Sequence, residues 1–558
     1  MKKLMLKSSI LITASVLPIA TLASCSIQYY DYFAEIVVSD NTSVLADNSF
    51  SQTTYEGYKQ FMAEKTVTIP KPSNNNGGTG SGGKTSSGSS GNGTDNSNGT
   101  ETYEKEVYTL PDADKVAQST GLWRRPGATV AERVSTFKGS FVSGKDVMIV
   151  PGFNHEKSLK QIALDKDFSD KGFVWMDGVI SEYKKENGEP SYHNVSSFSF
   201  RAEQSAFLTG IAACVFLNIN KDVFNGDGGL KVGGFVGLPL VSTLDFLAGF
   251  QAGVFAFNAS LKNGANSSQM NSTENDEDKK ANPNNSNNGN NWQKVEFIDL
   301  GSNISNWATG SFGVGDGMQI SRTLVNKGAD MIMAIAGPQT LDVISVAETS
   351  SRPVAVLGVD SAQEEQNINK PFTTLGDKKL KDAEGKDITN PKFIQFSAIK
   401  KLDSATKQVL GAIFNKKDPN NAKYTGSSFV KGFGFQNIGS IDNDTVGVSN
   451  AGLPYLYKFS KDWFKNGTNT GKTNSEETIP KDLKLDPNIV KKNKEYEKLQ
   501  KDRSVKYLND SSGDNKYYSE GWTKLPNNTG EFIELPSQLS YPIGATQLNG
   551  SKWKLKLR

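Results

Sequence analysis

Short apolar runs alternate with amphipathic helical segments along most of the chain, and this alternation constrains the fold more than any other feature. The run 34–38 is followed by a helical pattern over 53–62, with Tyr55, Tyr58 and Phe61 on one face. Alternation of this kind favours parallel sheets covered by helices, and there are too many units for one sheet. We therefore expect an α/β fold with two doubly wound parallel-sheet lobes. Further strands are predicted over 146–150, 173–176, 232–236, 294–298, 331–335 and 354–359, and further helices after Glu156 and over 203–217, 242–256, 319–326 and 339–348.

Two segments made mostly of Gly, Ser, Asn and Thr interrupt this alternation. They span 73–100 and 263–291 and hold too little apolar surface to form a core of their own, so we expect inserted loops. The remaining sequence divides into four parts. These are a first lobe over 25–200, a second lobe over 201–360, crossover and return segments over 361–450, and a partly disordered C-terminal extension over 451–558.

The chain begins with lysines, an apolar run over 10–20 and the sequence Leu22-Ala23-Ser24-Cys25. The apolar run is too short to span a bilayer, which takes ~20 residues, and small residues before a cysteine are typical of a lipoprotein signal. We predict that residues 1–24 are a signal peptide and that Cys25 carries the lipid. The protein would then be anchored at the extracellular face of the cell membrane. The other cysteine, Cys214, lies in an apolar run and is expected to be a buried thiol.

Several functional classes are disfavoured. Gly78–Thr85 matches the nucleotide-binding pattern G-x-x-x-x-G-K-[ST], but no strand is predicted to lead into it and no helix to follow, as a phosphate cradle requires. His155 and His193 are far apart and lack a Cys/His cluster, which disfavours a metal site and a Ser-His-Asp arrangement. A net charge of +2 gives no case for a nucleic-acid partner. We expect no enzyme activity, cofactor or metal.

The first predicted unit carries a candidate binding loop. Ligands of open α/β sheets lie beyond the carboxyl ends of the strands, which places Asp40, after the first strand, and Phe50, before the helix, at the crevice. Without further evidence, a solvent-exposed acid and a phenylalanine of the core explain these two residues better than a ligand-binding role does.

The stretch 36–57 resembles the opening of the basic membrane protein family, whose first strand and helix read roughly V-x-D…D-x-S-F-N-x-x-x-x-E-G. The family comprises lipoprotein substrate-binding subunits of ABC transporters, among them purine-nucleoside receptors. The resemblance extends over about 34–450, but Ser51 stands where the family usually has Asn, and an extra residue lies between Asp40 and Asp47. Five further stretches resemble the family in order: 198–210, 232–253, 328–337, 357–360 and 396–400.

The resemblance implies a type I periplasmic-binding-protein architecture, in which two α/β lobes joined by three crossovers close on a ligand at a hinge. In the family, aromatic rings hold a base while carboxylate and lysine side chains hold the ribose. This implies a receptor that delivers nucleosides, purine nucleosides foremost, to a permease and its ATPase. A surface adhesin or antigenic scaffold, or a receptor for another solute, stays open. The implied ligand residues are Asp40, Asp47, Phe50, Phe153, Asn154, His155, Phe246, Asp360 and Lys400.

Overall fold

The structure is a computed structural model of the chain. It describes residues 34–41, 43–46, 50–64, 66–70, 103–107, 109–179, 192–224, 228–265, 292–301, 304–414, 430, 432–464, 479–490, 524–526, 532–534 and 546–547. The predicted lipidation residue Cys25, the predicted ligand residue Asp47, the insertion 73–100 and most of the insertion 263–291 lie outside these residues.

Two separate sheets, each parallel apart from one edge pairing, form the centres of the two lobes. The first lobe has seven strands in the order β17-β13-β7-β6-β5-β1-β4, parallel except where β17 joins β13. The predicted doubly wound lobe is confirmed, because strands close in sequence lie side by side and helices connect them. Its strands are β1 (Ala34–Val37), β4 (Trp123–Arg124), β5 (Val147–Pro151), β6 (Gly172–Met176), β7 (Val195–Phe200), β13 (Phe435–Gly439) and β17 (Thr546–Gln547).

The second lobe has six strands in the order β14-β12-β11-β10-β8-β9, and β14 alone is antiparallel to its neighbour. Its central strands read as continuous apolar runs because both faces of the sheet are covered by helices. The strand predicted over 354–359 overlaps β11, which runs from Ala355 to Asp360. The two ranges differ by one residue at each end. The strands are β8 (Leu230–Val236), β9 (Val295–Phe297), β10 (Met331–Ile335), β11 (Ala355–Asp360), β12 (Ile394–Lys400) and β14 (Val446–Val448). Strands β15 (Lys524–Pro526) and β16 (Phe532–Glu534) pair with each other in a separate sheet.

The predicted helices are present and begin within a few residues of the expected positions. In α1, the predicted face of Tyr55, Tyr58 and Phe61 is buried in the core. The helix α2 was not predicted; it begins at a capping box in which Thr129 and Glu132 satisfy each other's backbone N–H groups. The helices of the described residues are α1 (Phe50–Ala63), α2 (Val130–Val142), α3 (Glu156–Ala163), α4 (Ala202–Ile219), α5 (Lys221–Phe224), α6 (Val241–Ala265), α7 (Met318–Asn326), α8 (Thr340–Glu348), α9 (Leu402–Phe414), α10 (Leu453–Phe459) and α11 (Pro487–Val490).

Between β1 and β14 the chain crosses between the lobes three times, and β17 later adds a strand to the first sheet. The first crossover runs from β7 into α4, the second from β12 into α9, and the third from β13 into β14. Hydrogen bonds tie the crossovers together: Ser205 Oγ donates to Gly447 O at 2.7 Å, and Lys401 N donates to Thr445 O at 2.8 Å. This connectivity is the one expected of a type I periplasmic-binding-protein architecture.

Helices α4 and α6 form the apolar centre of the second lobe. Both are long and apolar enough to span a membrane by length and composition, but 94% of the relevant window in α4 and 72% of that in α6 are buried inside the fold. Glycines allow the close approach, since a Cβ on Gly253 would lie 2.1 Å from Phe207 O and one on Gly249 would lie 2.2 Å from Glu203 O. We interpret the pair as core helices.

The Gly/Ser-rich segment joins two paired strands. Strand β2 (Thr66–Pro70) lies antiparallel to β3 (Tyr103–Val107), and the chain between them includes the Walker-like Gly78–Thr85. Residues 78–85 and those that directly follow them lie outside the described residues, so the rejection of a nucleotide site stays a prediction.

Candidate ligand-binding site

Lys400 ends strand β12 where the chain leaves the second lobe. Its side chain is 3% exposed, and its Nζ donates to Asp177 Oδ2 at 3.1 Å and lies 3.3 Å from Asp360 Oδ1. Because Asp177 follows β6 and Asp360 ends β11, the ammonium joins carboxylates of both lobes. Burial by itself lowers the pKa of Lys400, but the two carboxylates outweigh burial and raise the pKa above its ordinary value. The ammonium group is therefore charged at neutral pH.

Both carboxylates are held in an unusual backbone conformation. Asp177 has φ of 63° and Asp360 has φ of 64°, in the left-handed region that residues other than glycine rarely adopt. Such conformations cluster at ligand sites, where the surrounding fold enforces them. Oδ1 of Asp360 is buried and makes no hydrogen bond of good geometry with any described residue. It is therefore an acceptor that a ligand hydroxyl could use.

Three phenylalanine rings surround the same ammonium. Lys400 Nζ lies 5.7 Å from the ring centroid of Phe50, 6.0 Å from that of Phe200 and 5.2 Å from that of Phe246. At these distances a cation is attracted to the ring face. Phe50 begins α1 in the first lobe and Phe246 lies on α6 in the second, so aromatic surfaces from both lobes meet at one charged centre.

The other described residues predicted for the site lie on two loops of the first lobe. Asp40 follows β1 and accepts a hydrogen bond from Ser43 N at 2.8 Å. Phe153 and Asn154 follow β5; Asn154 is exposed, and the ring of Phe153 contacts Phe312 of the second lobe at 5.5 Å between centroids. Asp40 and Asn154 lie at the carboxyl end of the first sheet, but no described contact joins them to Lys400.

His155 lies inside the first lobe. It is fully buried, its Nε2 donates to Val38 O at 2.8 Å, and its ring packs against Phe137. Burial, aided by the positive charge of Arg133, lowers the pKa of His155 to about 3, so the ring is neutral. The residue supports the loop after β5 from beneath, and its direct contact with a ligand stays a prediction.

Sequence reasoning missed three residues at or near this centre. Asp177 could have been found, because it directly follows the predicted strand 173–176, and the same rule selected Asp40. Phe200 ends an apolar strand and gave no distinguishing signal. Arg133 donates from Nη1 to Ser39 O at 3.4 Å and to Asn154 O at 3.3 Å, and so joins the two cleft loops. Because α2 was not predicted, the position of Arg133 between the two loops could not have been inferred from the sequence.

Residues 34–284 match the family described as ABC transporter substrate-binding protein PnrA-like. The uncharacterized lipoprotein MG040 of Mycoplasma genitalium is 32% identical to this chain over 495 residues, which cover 81% of the chain and 74% of the relative. The chain belongs to this PnrA-like family. The homologue of MG040 in Mycoplasma pneumoniae is 31% identical over 496 residues, with 81% of this chain and 67% of the relative covered.

The chain also aligns with solved solute-binding proteins, at low sequence identity and low TM-score. One from Aeropyrum pernix aligns over 75% of this chain and 76% of its own, with 15% identity and a TM-score of 0.41. The arabinose-binding protein of Geobacillus stearothermophilus aligns over 75% and 96%, with 9% identity and a TM-score of 0.36. At these TM-scores the structural similarity supports no conclusion about this protein.

Family membership makes this protein a substrate-binding lipoprotein of the ABC-transporter class, with a small-molecule ligand and transporter partners. The PnrA-like family is of an extracytoplasmic type, and its matched relatives are lipoproteins. The centre around Lys400 is the candidate site for that ligand, because it joins both lobes at the carboxyl ends of their strands.

Proposed function

We propose that this protein is a nucleoside receptor, anchored by Cys25 at the extracellular face of the membrane. It binds a nucleoside, foremost a purine nucleoside, between its lobes and delivers it unchanged to the permease and ATPase of an ABC transporter. The observation that carries this proposal is the grouping of a charged lysine, two carboxylates and three phenylalanine rings at one point.

Each part of this grouping suits one part of a nucleoside. Stacking of a base on an aromatic ring contributes ~1–3 kcal/mol, and Phe50 and Phe246 approach from opposite lobes. Hydrogen bonds to charged groups contribute about 1.5–3 kcal/mol each. Oδ1 of Asp360, which lies 3.3 Å from the ammonium of Lys400 but makes no hydrogen bond of good geometry with a described residue, can accept a hydrogen bond from a ribose hydroxyl. The ammonium of Lys400 can donate to a hydroxyl oxygen.

The charge of the centre favours a neutral ligand. One ammonium lies between two carboxylates, so the three groups together carry a net charge of −1 when Asp177 and Asp360 are both ionised. A phosphate entering this buried centre would meet that negative charge without solvent to screen it. We therefore expect nucleosides to bind more tightly than the corresponding nucleotides.

The test is calorimetric titration of purified protein, stripped of co-purified ligand, with guanosine, adenosine, uridine, guanine and guanosine monophosphate. Asp360→Ala should weaken guanosine binding about tenfold or more, because one hydrogen bond to a charged group is lost. Guanine, which has no ribose, should lose far less. Equal losses of affinity for guanosine and guanine would contradict the assigned role of Asp360. If the wild type binds none of these compounds, the nucleoside proposal is wrong, and a scaffold function or a receptor for another solute remains.

Phe246 and Phe250 offer a matched pair of variants on one helix. Phe246 faces Lys400 at 5.2 Å, whereas Phe250, one turn further along α6, packs against Phe297 at 5.5 Å. Phe246→Leu removes a ring from the proposed site, and Phe250→Leu removes a ring from the core. We expect Phe246→Leu to weaken guanosine binding about tenfold, and Phe250→Leu to lower the melting temperature with little change in affinity.

A further inference from the structure

A second contact between the lobes lies away from the Lys400 centre. The rings of Phe153, in the first lobe, and Phe312, in the second, are 5.5 Å apart between centroids and tilted by 46°. Both rings are only partly buried. Aromatic pairs at this separation attract each other beyond the effect of buried area, so the contact favours the arrangement in which the lobes are together.

The strand order places this contact well away from the crossovers. Phe153 follows β5, which is two strands from the crossover strand β7. The segment that leads to Phe312 runs beside the end of β8, through Ala308, and β8 is three strands from the crossover strand β12. At ~4.8 Å per strand, the two rings approach from strands roughly 10 and 14 Å from the hinge. A hinge rotation therefore separates Phe153 from Phe312 by more than it moves groups beside the crossovers.

The turn that presents Phe153 is held by hydrogen bonds and by close packing. Gly152 has φ of 89°, its N–H donates to Met176 O at 2.8 Å, and its carbonyl accepts from Trp175 Nε1 at 2.9 Å. A Cβ at Gly152 would also meet Ser39 Cβ at 3.3 Å. The ring of Phe153 is thus held in place by strand β6 and by the loop after β1.

The loop that presents Phe312 is fastened on both sides of the ring. Before it, Ser311 O accepts from Gln339 Nε2 at 2.9 Å and from Thr309 Oγ1 at 2.9 Å. After it, the buried carboxylate of Asp342 accepts from Gly315 N at 2.8 Å and from Gly317 N at 2.9 Å. These bonds fix a glycine-rich loop that would otherwise be free to move, and they hold Phe312 toward the first lobe.

We propose that Phe153 and Phe312 form an interlobe latch that determines how long a ligand remains in the cleft. Phe312 acts as a positioning residue: it stabilises the closed arrangement in which Phe50, Phe246 and the Lys400 centre surround the ligand. The use of a nucleoside as probe rests on the proposed function, whereas the latch itself rests on the contact between the rings.

The kinetic test is stopped-flow dissociation of guanosine from the wild type, Phe153→Ala, Phe312→Ala and the double variant. We expect each single variant to dissociate about two- to tenfold faster, the range that corresponds to the loss of one aromatic pair. The double variant should dissociate no faster than the faster single variant, because the pair is lost once. Additive effects in the double variant, or slower association with unchanged dissociation, would overturn the latch.

The matched control is Phe168→Ala. Phe168 stacks on Phe141 at 5.4 Å within the first lobe, so the variant loses an aromatic pair that does not join the lobes. It should lower the melting temperature and leave guanosine dissociation unchanged. Faster dissociation in this control to the same extent would show that the effect is general destabilisation.

A structural readout separates the latch from the nucleoside assignment. Spin labels at Val142→Cys in the first lobe and Arg322→Cys in the second occupy exposed positions. They are placed in a Cys25→Ser background, and the remaining natural cysteine, Cys214, is buried away from the reagent. Without ligand, Phe312→Ala should shift the distance distribution between the labels toward longer values than in the wild type, and an unchanged distribution would overturn the latch. If guanosine does not bind the wild type, the proposed function is contradicted. The distances between the labels still test the latch, because they are measured without ligand.

Discussion

At the scale of single residues, Lys400 is the point on which the candidate site depends. Its ammonium is the counter-charge of Asp177, which is buried to a similar degree, and of Asp360. A buried charge that loses its partner is strongly destabilising, because neither water nor another charge replaces it. The residue proposed to bind the ligand is therefore also one that holds the two lobes together.

We expect Lys400→Met to lower the free energy of unfolding by about 3–5 kcal/mol and to abolish guanosine binding. Urea unfolding followed by tryptophan fluorescence measures the first effect. Adding Asp177→Asn to Lys400→Met should restore part of the stability, since the uncompensated carboxylate is removed, but should not restore binding. A Lys400→Met variant as stable as the wild type would contradict the buried ion pairs.

His155 provides a test by pH. Its folded-state pKa of about 3 lies below that of an unfolded histidine, about 6.5. The stability due to the neutral ring is thus fully present above pH 6.5 and is lost as the pH falls toward 3, by up to about 1.4 kcal/mol per pH unit. Unfolding of His155→Phe by urea at a series of pH values should show a shallower loss over this window. At pH 7.5 the variant should be about 1 kcal/mol less stable, because Val38 O loses its donor.

At the scale of elements, the close contact between α4 and α6 determines the packing of the second lobe. The two helices touch backbone to backbone where Gly249 lies against Glu203 and Gly253 against Phe207. Side chains at these positions would push the helices apart. The same helix α6 carries Phe246, so its position relative to α4 affects the distance from that ring to Lys400.

Gly249→Ala should destabilise the protein by about 1–3 kcal/mol, because its Cβ would lie 2.2 Å from Glu203 O. Alanine is intrinsically the better helix former by about 1 kcal/mol, so a net loss of stability reports the clash. Gly229→Ala is the control, since a Cβ there meets nothing within 4 Å. Thermal unfolding should separate the two variants, and equal melting temperatures would argue against close packing at Gly249.

At the scale of the whole molecule, the three crossovers and the N-terminal anchor define how the receptor works. The crossovers place the Lys400 centre between the two lobes, and the predicted anchor would keep the protein beside its transporter. Family membership and the lipoprotein relatives agree with this arrangement. The anchor itself is predicted from Leu22-Ala23-Ser24-Cys25.

Cys25→Ser should abolish lipid attachment and release the protein from the membrane fraction. Partitioning into detergent, with metabolic labelling by a fatty acid, measures both effects. Replacement of the other cysteine, as Cys214→Ser, should leave labelling intact, because that thiol is buried in α4. Labelling of the Cys25→Ser variant at the wild-type level would refute the anchor.

The amino-acid sequence by itself determined the local features of the protein. Alternating apolar runs and amphipathic segments predicted the strands and helices, because their periodicities depend only on neighbouring residues. The resemblance to a known family placed Phe50, Phe246, Asp360 and Lys400 in one site, and the structure brings the four together. Local patterns predicted the helix over 203–217, which the structure places at Ala202–Ile219, but they did not predict the strand β7 (Val195–Phe200) that precedes it.

Only the tertiary structure decided those contacts across the lobes that neither a local pattern nor the family resemblance indicated. Asp177 and Lys400 are 223 positions apart, and no local pattern relates them; the crossover from β12 brings them within 3.1 Å. The contact of Phe153 with Phe312 depends in the same way on two loops positioned by different sheets. His155 shares the loop after β5 with Phe153, yet its ring lies in the core, because the direction of a side chain depends on the packing beneath the loop.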